Sequence, residues 1–104
     1  MNLLAALSQP RRQEILRLVA ERELSAGEIH RAVGDVTFGA VSQHLRILQE
    51  SGAVSARRDG RRRLYRARRG ALRPFLGYLE KLWAQKLDDL KRMVESERAT
   101  KGEQ

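Results

Sequence analysis

Apolar residues recur at helical spacing over most of the chain. Leu3, Leu4 and Leu7 mark a brief first helix. Ile15, Leu16 and Val19 form the inward stripe of a second, with Pro10 in its first turn, where a missing N–H is harmless. Ser25 followed by Glu28 has the spacing of a capping box, opening a short third helix with Ile29 and Val33 inward and Gly34 as its stop. Thr37 is a good N-cap for a fourth helix over 37–51, in which Val41, Leu45 and Leu48 share one face and Gly52 ends the run. Its other face carries Gly39, Ser42, Gln43, Arg46 and Gln49. The period then changes. Two short extended runs, 54–58 and 61–66, flank Asp59-Gly60, which predicts a hairpin closed by a type I′ turn, with Val54, Ala56 and Leu64 facing inward. Helical spacing returns from about Ala71 to Arg98 through Leu72, Phe75, Leu79, Leu82, Trp83, Leu87, Leu90 and Val94, with Pro74 tolerable only near the start. The last six residues, "ATKGEQ", are expected to fray.

Charge changes this picture most. The net charge is +8, and residues 55–73 alone, with nine Arg and one Asp, account for all of it. The remaining 12 Lys or Arg and 12 Asp or Glu cancel. Like charges packed this densely repel each other and rarely help a fold; a focused positive field is the footprint of a polyanion-binding face. A solvated basic face with no partner is the bland alternative. The 104 residues suit a single domain, here with a binding core at about 10–69 and flanking helices at about 2–8 and 71–98. A core of this size is thin, so oligomerisation is a plausible source of further burial. The absence of cysteine removes disulfides, thiolate metal sites and thiol catalysis, and fits a reducing cytosol. "MNLLAALSQPRR" is too short and too quickly charged for a signal peptide, and no stretch has the length of a transmembrane helix.

Two helices joined by a short turn and followed by a hairpin make a winged helix-turn-helix: mainly α with a small β-hairpin, in the order α-α-α-α-β-β-α. The major groove of duplex DNA admits a helix. Ser42, Gln43 and Arg46 can all hydrogen-bond to base edges, Gln suiting adenine and Arg guanine. Gly39 lets the start of the helix approach a phosphate, where free N–H groups favour an anion. Thr37, Phe38 and His44 complete the candidate surface on this helix. Arg57, Arg58, Arg61, Arg62 and Arg63 on the hairpin would hold backbone phosphate or enter a minor groove, supplying affinity while the helix supplies sequence choice. The expected partner is double-stranded DNA.

A non-specific RNA or DNA coating protein fits the basic charge equally well. Single-strand readers, however, usually stack exposed aromatics on bases. Three of the five aromatics here, Phe75, Tyr78 and Trp83, fall on the last helix, away from the charge. A structural dimer docking an acidic protein is a further alternative. No glycine-rich phosphate loop or HExxH site is present, and Ser42 and His44, two residues apart on a helix, do not face each other, so the chain is not expected to be an enzyme.

In combination, "LAALSQPRRQEIL", "LSAGEIHRAV" and "VSQHLRILQESGAV…RRDGRRRLY" resemble the ArsR (SmtB/ArsR) family of bacterial winged-helix repressors, over nearly the whole chain. The resemblance implies a cytoplasmic, nucleoid-associated homodimer that binds a palindromic operator and blocks transcription. It also implies an interface built from the first and last helices, which agrees with the apolar stripes of Leu3, Leu4, Leu7, Phe75, Leu79, Leu82, Trp83, Leu87 and Leu90. Two departures stand out. Gln9 occupies a position where relatives often carry Asp, and "GDVTFGAVS" is one residue longer than usual before the recognition helix. Some members of the family sense metals. Here Ser25 and Gly27 stand where the paired third-helix cysteines would be, and the last helix offers Asp88, Asp89, Glu95 and Glu97 but no histidine. No metal and no cofactor are therefore expected. Release is left to a small-molecule inducer, a protein or the regulator's own concentration. Four assignments remain two-sided: His44 as phosphate contact or core edge, His30 as packing or surface residue, Trp83 and Tyr78 as dimer core or pocket lining, and Arg11 and Arg12 as phosphate contacts or ion-pair partners.

Overall fold

The computed structural model describes residues 2–85. The chain divides into two compact units, one ending at Arg73 and the other beginning at Pro74.

The first unit holds α1 (Leu3–Leu7), α2 (Pro10–Glu21), β1 (Leu24–Ser25), α3 (Ala26–Val33), α4 (Phe38–Glu50), β2 (Val54–Asp59), β3 (Arg62–Ala67) and α5 (Arg69–Leu72). The caps explain most of these boundaries. Asn2 Oδ1 accepts from Ala5 N at 2.8 Å to start α1. Gln9, a poor cap by type, still caps α2, its Oε1 accepting from Arg12 N at 2.9 Å. Ser25 and Glu28 form the full capping box: Glu28 N donates to Ser25 Oγ at 3.2 Å, and Ser25 N donates to Glu28 Oε1 at 2.9 Å. Thr37 Oγ1 accepts from Ala40 N at 3.0 Å at the head of α4. The four-residue link between α3 and α4 is held from two sides, by Arg11 on Asp35 at 2.6 Å and by His30 Nε2 donating to Val36 O at 2.8 Å. The core under these helices is Leu7, Ile15, Leu16, Ile29, Leu45 and Leu48, each almost wholly buried. Burying each such side chain contributes about 1.5–3 kcal/mol.

The sheet has three strands in the order β1-β3-β2, all antiparallel to their neighbours. The strand β1 was not expected. Two residues are too few to show alternation, and Ser25 serves both as strand end and as helix cap. Two further expectations are corrected. Asp59 pairs with Arg62, so the hairpin loop is Gly60-Arg61 rather than Asp59-Gly60. Gly60 has φ +65°, and among the described residues no non-glycine has positive φ, so the turn is of the II′ kind, with a single positive φ at its first central residue. Secondly, Leu64 lies opposite Arg57, whereas Val54 and Ala56 lie opposite Ala67 and Tyr65. Directly opposed residues share a face, so Leu64 is buried on the other side of the sheet from Val54.

The last element, expected from about 71 with its regular part beginning near Pro74, starts in an interrupted way. After α5 a 3-10 turn over Arg73–Phe75 carries Pro74, and regular helix covers 76–85. Proline fixes its own φ and removes a donor, which is the cause of the break. Leu79 is fully buried there. Leu87 and Leu90 lie outside the described residues. Among those residues no helix is long and apolar enough to cross a membrane.

Candidate nucleic-acid interface

The chain presents α4 as an amphipathic helix with one face spent on the core. Val41, Leu45 and Leu48 are buried, while Phe38, Gly39, Ser42, Gln43 and Arg46 are exposed. Phe38, Ser42 and Arg46 are spaced by four and form one strip, with Gln43 beside it. Thr37, though exposed, uses its hydroxyl as the cap acceptor.

His44 stands at the edge of this surface, half-buried, with Nδ1 3.5 Å from Arg12 Nη1. A guanidinium can only donate, so Nδ1 is the acceptor and the ring proton sits on Nε2. Burial, then the charges of Arg12 and Arg11, holds the His44 pKa below its usual 6.5. The unfolded chain therefore binds this proton more readily than the folded one. His44 should thus lower stability as pH falls through 6.5 towards its folded value. Urea midpoints at pH 7.5 and 5.5 should drop for the native chain and less for His44→Gln; equal drops would remove His44 as the cause.

Arg12 is turned inward on this side of the molecule. It is 8% exposed, with Nε donating to Ala6 O at 2.7 Å and Nη2 3.5 Å from Ala5 O. These contacts tie it to the carbonyl end of α1. Arg11 is taken up by Glu14 at 3.1 Å and Asp35 at 2.6 Å.

The hairpin arginines divide into two groups. Arg57 makes a two-pronged pair with Glu23, Nε and Nη2 at 2.7 and 2.9 Å, which holds the Glu23 carboxyl below the usual carboxylate range. Arg62 lies 3.7 Å from Glu28 and 3.5 Å from Asp59. Arg58, Arg61 and Arg63 are exposed and, among the described residues, have no carboxylate within ion-pair reach. Arg58 and Arg63 are also directly opposite each other across β2 and β3. Along that face the pairs run from buried Val54–Ala67 through half-buried Ala56–Tyr65 to the two arginines. Like charges directly opposed destabilise a sheet. An anion between them would remove the repulsion.

The residues expected at a dimer interface differ in exposure. Leu7 and Leu79 are fully buried. Leu4 is 61% exposed, and Leu3, Phe75, Leu82 and Trp83 are half-buried. His30 packs edge-on against Phe38, with ring centres 5.8 Å apart at 90°. Among the described residues no cluster of three or more His, Cys, Asp or Glu could hold a metal.

The core shared by four helices, the exposed face of α4 and the three-stranded sheet together define a winged helix-turn-helix regulator. Residues 9–56 match the family described as bacterial regulatory protein, arsR family. The chain is 33% identical over 93 residues to the HTH-type transcriptional regulator Rv0081 of Mycobacterium tuberculosis, covering 89% of this chain and 82% of that one. The crystal structure of Rv0081 superposes with a TM-score of 0.67 at 34% identity, over 83% of this chain and 86% of that chain. HlyU of Vibrio cholerae, named a transcriptional activator, gives 0.69 at 29% identity over 79% of this chain and 88% of its own. The homodimeric winged helix-turn-helix DNA-binding domain of Mb0332 from Mycobacterium bovis gives 0.67 at 30% identity, over 78% and 74%. The chain belongs to the arsR family of transcriptional regulators.

Proposed function

We propose that the protein is a homodimeric repressor, not an enzyme, that binds a palindromic double-stranded operator on the cytoplasmic chromosome. Each protomer lays α4 in a major groove and its wing on the flanking backbone. Recognition helices of such dimers meet half-sites about one helical turn apart. The observation that carries this reading is the pairing of two unlike surfaces. One is a helix strip of exposed base-reading side chains. The other is a wing whose Arg58 and Arg63 face each other with no acid within ion-pair reach among the described residues. The first suits sequence choice and the second suits phosphate. Control by occlusion needs only that the operator overlap the promoter. HlyU, of the same fold, is named an activator, so the fold alone does not fix the sign of control.

The test is competition between a duplex enriched from a random library and a shuffled duplex, at two salt concentrations. A preference of about a thousandfold that survives the higher salt supports the reading. Equal binding to both, lost together as salt rises, overturns it in favour of electrostatic coating of nucleic acid. In the same assay Gln43→Ala or Arg46→Ala should cost about 1–3 kcal/mol on the enriched duplex and relax preference at single base positions. A uniform loss on all duplexes would reassign those side chains to the backbone.

A further inference from the structure

We propose that Phe38 is a specificity residue that reads the 5-methyl group of thymine in the major groove. This rests on the duplex-binding reading above. Three observations carry it. Phe38 is the first residue of α4 and is 50% exposed, a large apolar surface left in water at the head of the helix. It stands in line with Ser42 and Arg46 at four-residue spacing, so whatever edge those side chains meet, Phe38 meets the next one along. Finally, its ring is braced. His30 meets it edge-on at 5.8 Å, and His30 is itself fixed by donating from Nε2 to Val36 O at 2.8 Å. A floppy exposed aromatic would lose conformational freedom on binding; a braced one loses little.

The chemistry of the groove selects the ligand. Thymine alone among the four bases presents a methyl group in the major groove, and an apolar side chain at a recognition-helix N-terminus is its natural complement. The ring has no hydrogen-bonding atom, so it cannot pair with the donors and acceptors of the other bases. The exposed strip is thus composite: Ser42, Gln43 and Arg46 read polar edges, and Phe38 reads a hydrocarbon one.

The experiment replaces thymines one at a time by deoxyuridine in the enriched duplex. This removes the methyl and leaves Watson–Crick pairing intact. The full-length native chain should lose about fourfold in affinity at one thymine per half-site, the value of one buried methyl-sized group. Phe38→Ala should bind more weakly and be indifferent to that replacement. Phe38→Leu, which keeps an apolar side chain, should retain part of the sensitivity. Thermal melting of both variants checks that the exposed position leaves the fold intact. Indifference of the native chain at every thymine would overturn the inference while leaving duplex recognition standing, and would reduce Phe38 to a clamp between α3 and α4. Equal sensitivity in Phe38→Ala would assign the methyl to another side chain. Failure to enrich any duplex would remove the reading on which the inference depends.

Discussion

Replacing Arg58, Arg61 and Arg63 together by Ala should weaken binding to every duplex by about a hundredfold or more at low salt, and should leave the fold at least as stable as before. The two halves of this expectation have one cause. Each arginine that neutralises a phosphate releases condensed counterions, so the slope of log affinity against log salt should fall by about 0.9 for each residue removed, or about 2.7 for the three. The same side chains do nothing for the isolated fold. They are exposed, lack acids among the described residues, and include the opposed pair Arg58–Arg63. Removing that pair relieves like-charge repulsion across the strands, a gain of a few tenths of a kcal/mol. Loss of binding with a gain in stability is the mark of residues kept for a partner. Arg57→Ala supplies the contrast. Arg57 already shares its charge with Glu23, so its removal should change the salt slope less and should release a wing anchor instead. Equal slope changes for Arg57 and Arg58 would show that the Glu23 pair opens on DNA. A marked fall in the melting temperature of the triple variant would contradict the assignment of those arginines to the partner.

What could be read in advance follows from the range of the interactions concerned. Caps and stripes depend on residues three or four apart, and the Ser25–Glu28 box, the Thr37 cap and the Val41–Leu45–Leu48 face all lie where their spacing placed them. Pairing across the hairpin depends on register, which a one-residue slip alters completely. That is why the loop moved from Asp59-Gly60 to Gly60-Arg61 and Leu64 changed sides. The partition of the arginines was hidden for a similar reason. Glu23 lies 34 residues before Arg57, and no local pattern joins them. Arg12 is different, because a local signal did exist. Arg12, Ile15, Leu16 and Val19 fall at i, i+3, i+4 and i+7, so the arginine occupies the first place of an apolar stripe. A charge at such a position has to find partners in the interior, and the carbonyl end of α1 provides them.

That position leads to the largest effect expected on stability. Arg12→Met should destabilise the protein by about 2–3 kcal/mol, read as a fall of roughly 10–20 °C in melting temperature. Helix α1 has only five residues, far too few to persist alone. Its last carbonyls are capped by side chains from the helix that follows: Ala6 O by Arg12 Nε at 2.7 Å, and Leu7 O by Gln13 Nε2 at 2.7 Å. The guanidinium also places positive charge at the negative end of the α1 dipole. Methionine fills a comparable volume, so the loss would come from the unpaired carbonyl and the missing charge rather than from a cavity. Arg12→Lys should recover only part of it, since one ammonium cannot reproduce the planar fork. The change also has a signature that simple loss of packing lacks. Arg12 is one of the charges holding His44 below its usual pKa, so in Arg12→Met the His44 ring should titrate at higher pH, while burial and the charge of Arg11 keep it somewhat depressed. Ring proton shifts followed from pH 5 to 8 measure this directly. A melting temperature within a few degrees of the native chain would show that α1 is held by Leu7 and its neighbours alone. An unchanged His44 titration would break the link from α1 through Arg12 to the recognition helix. If both effects appear together, one buried cation ties the first helix, half of the proposed dimer surface, to the helix proposed to read DNA.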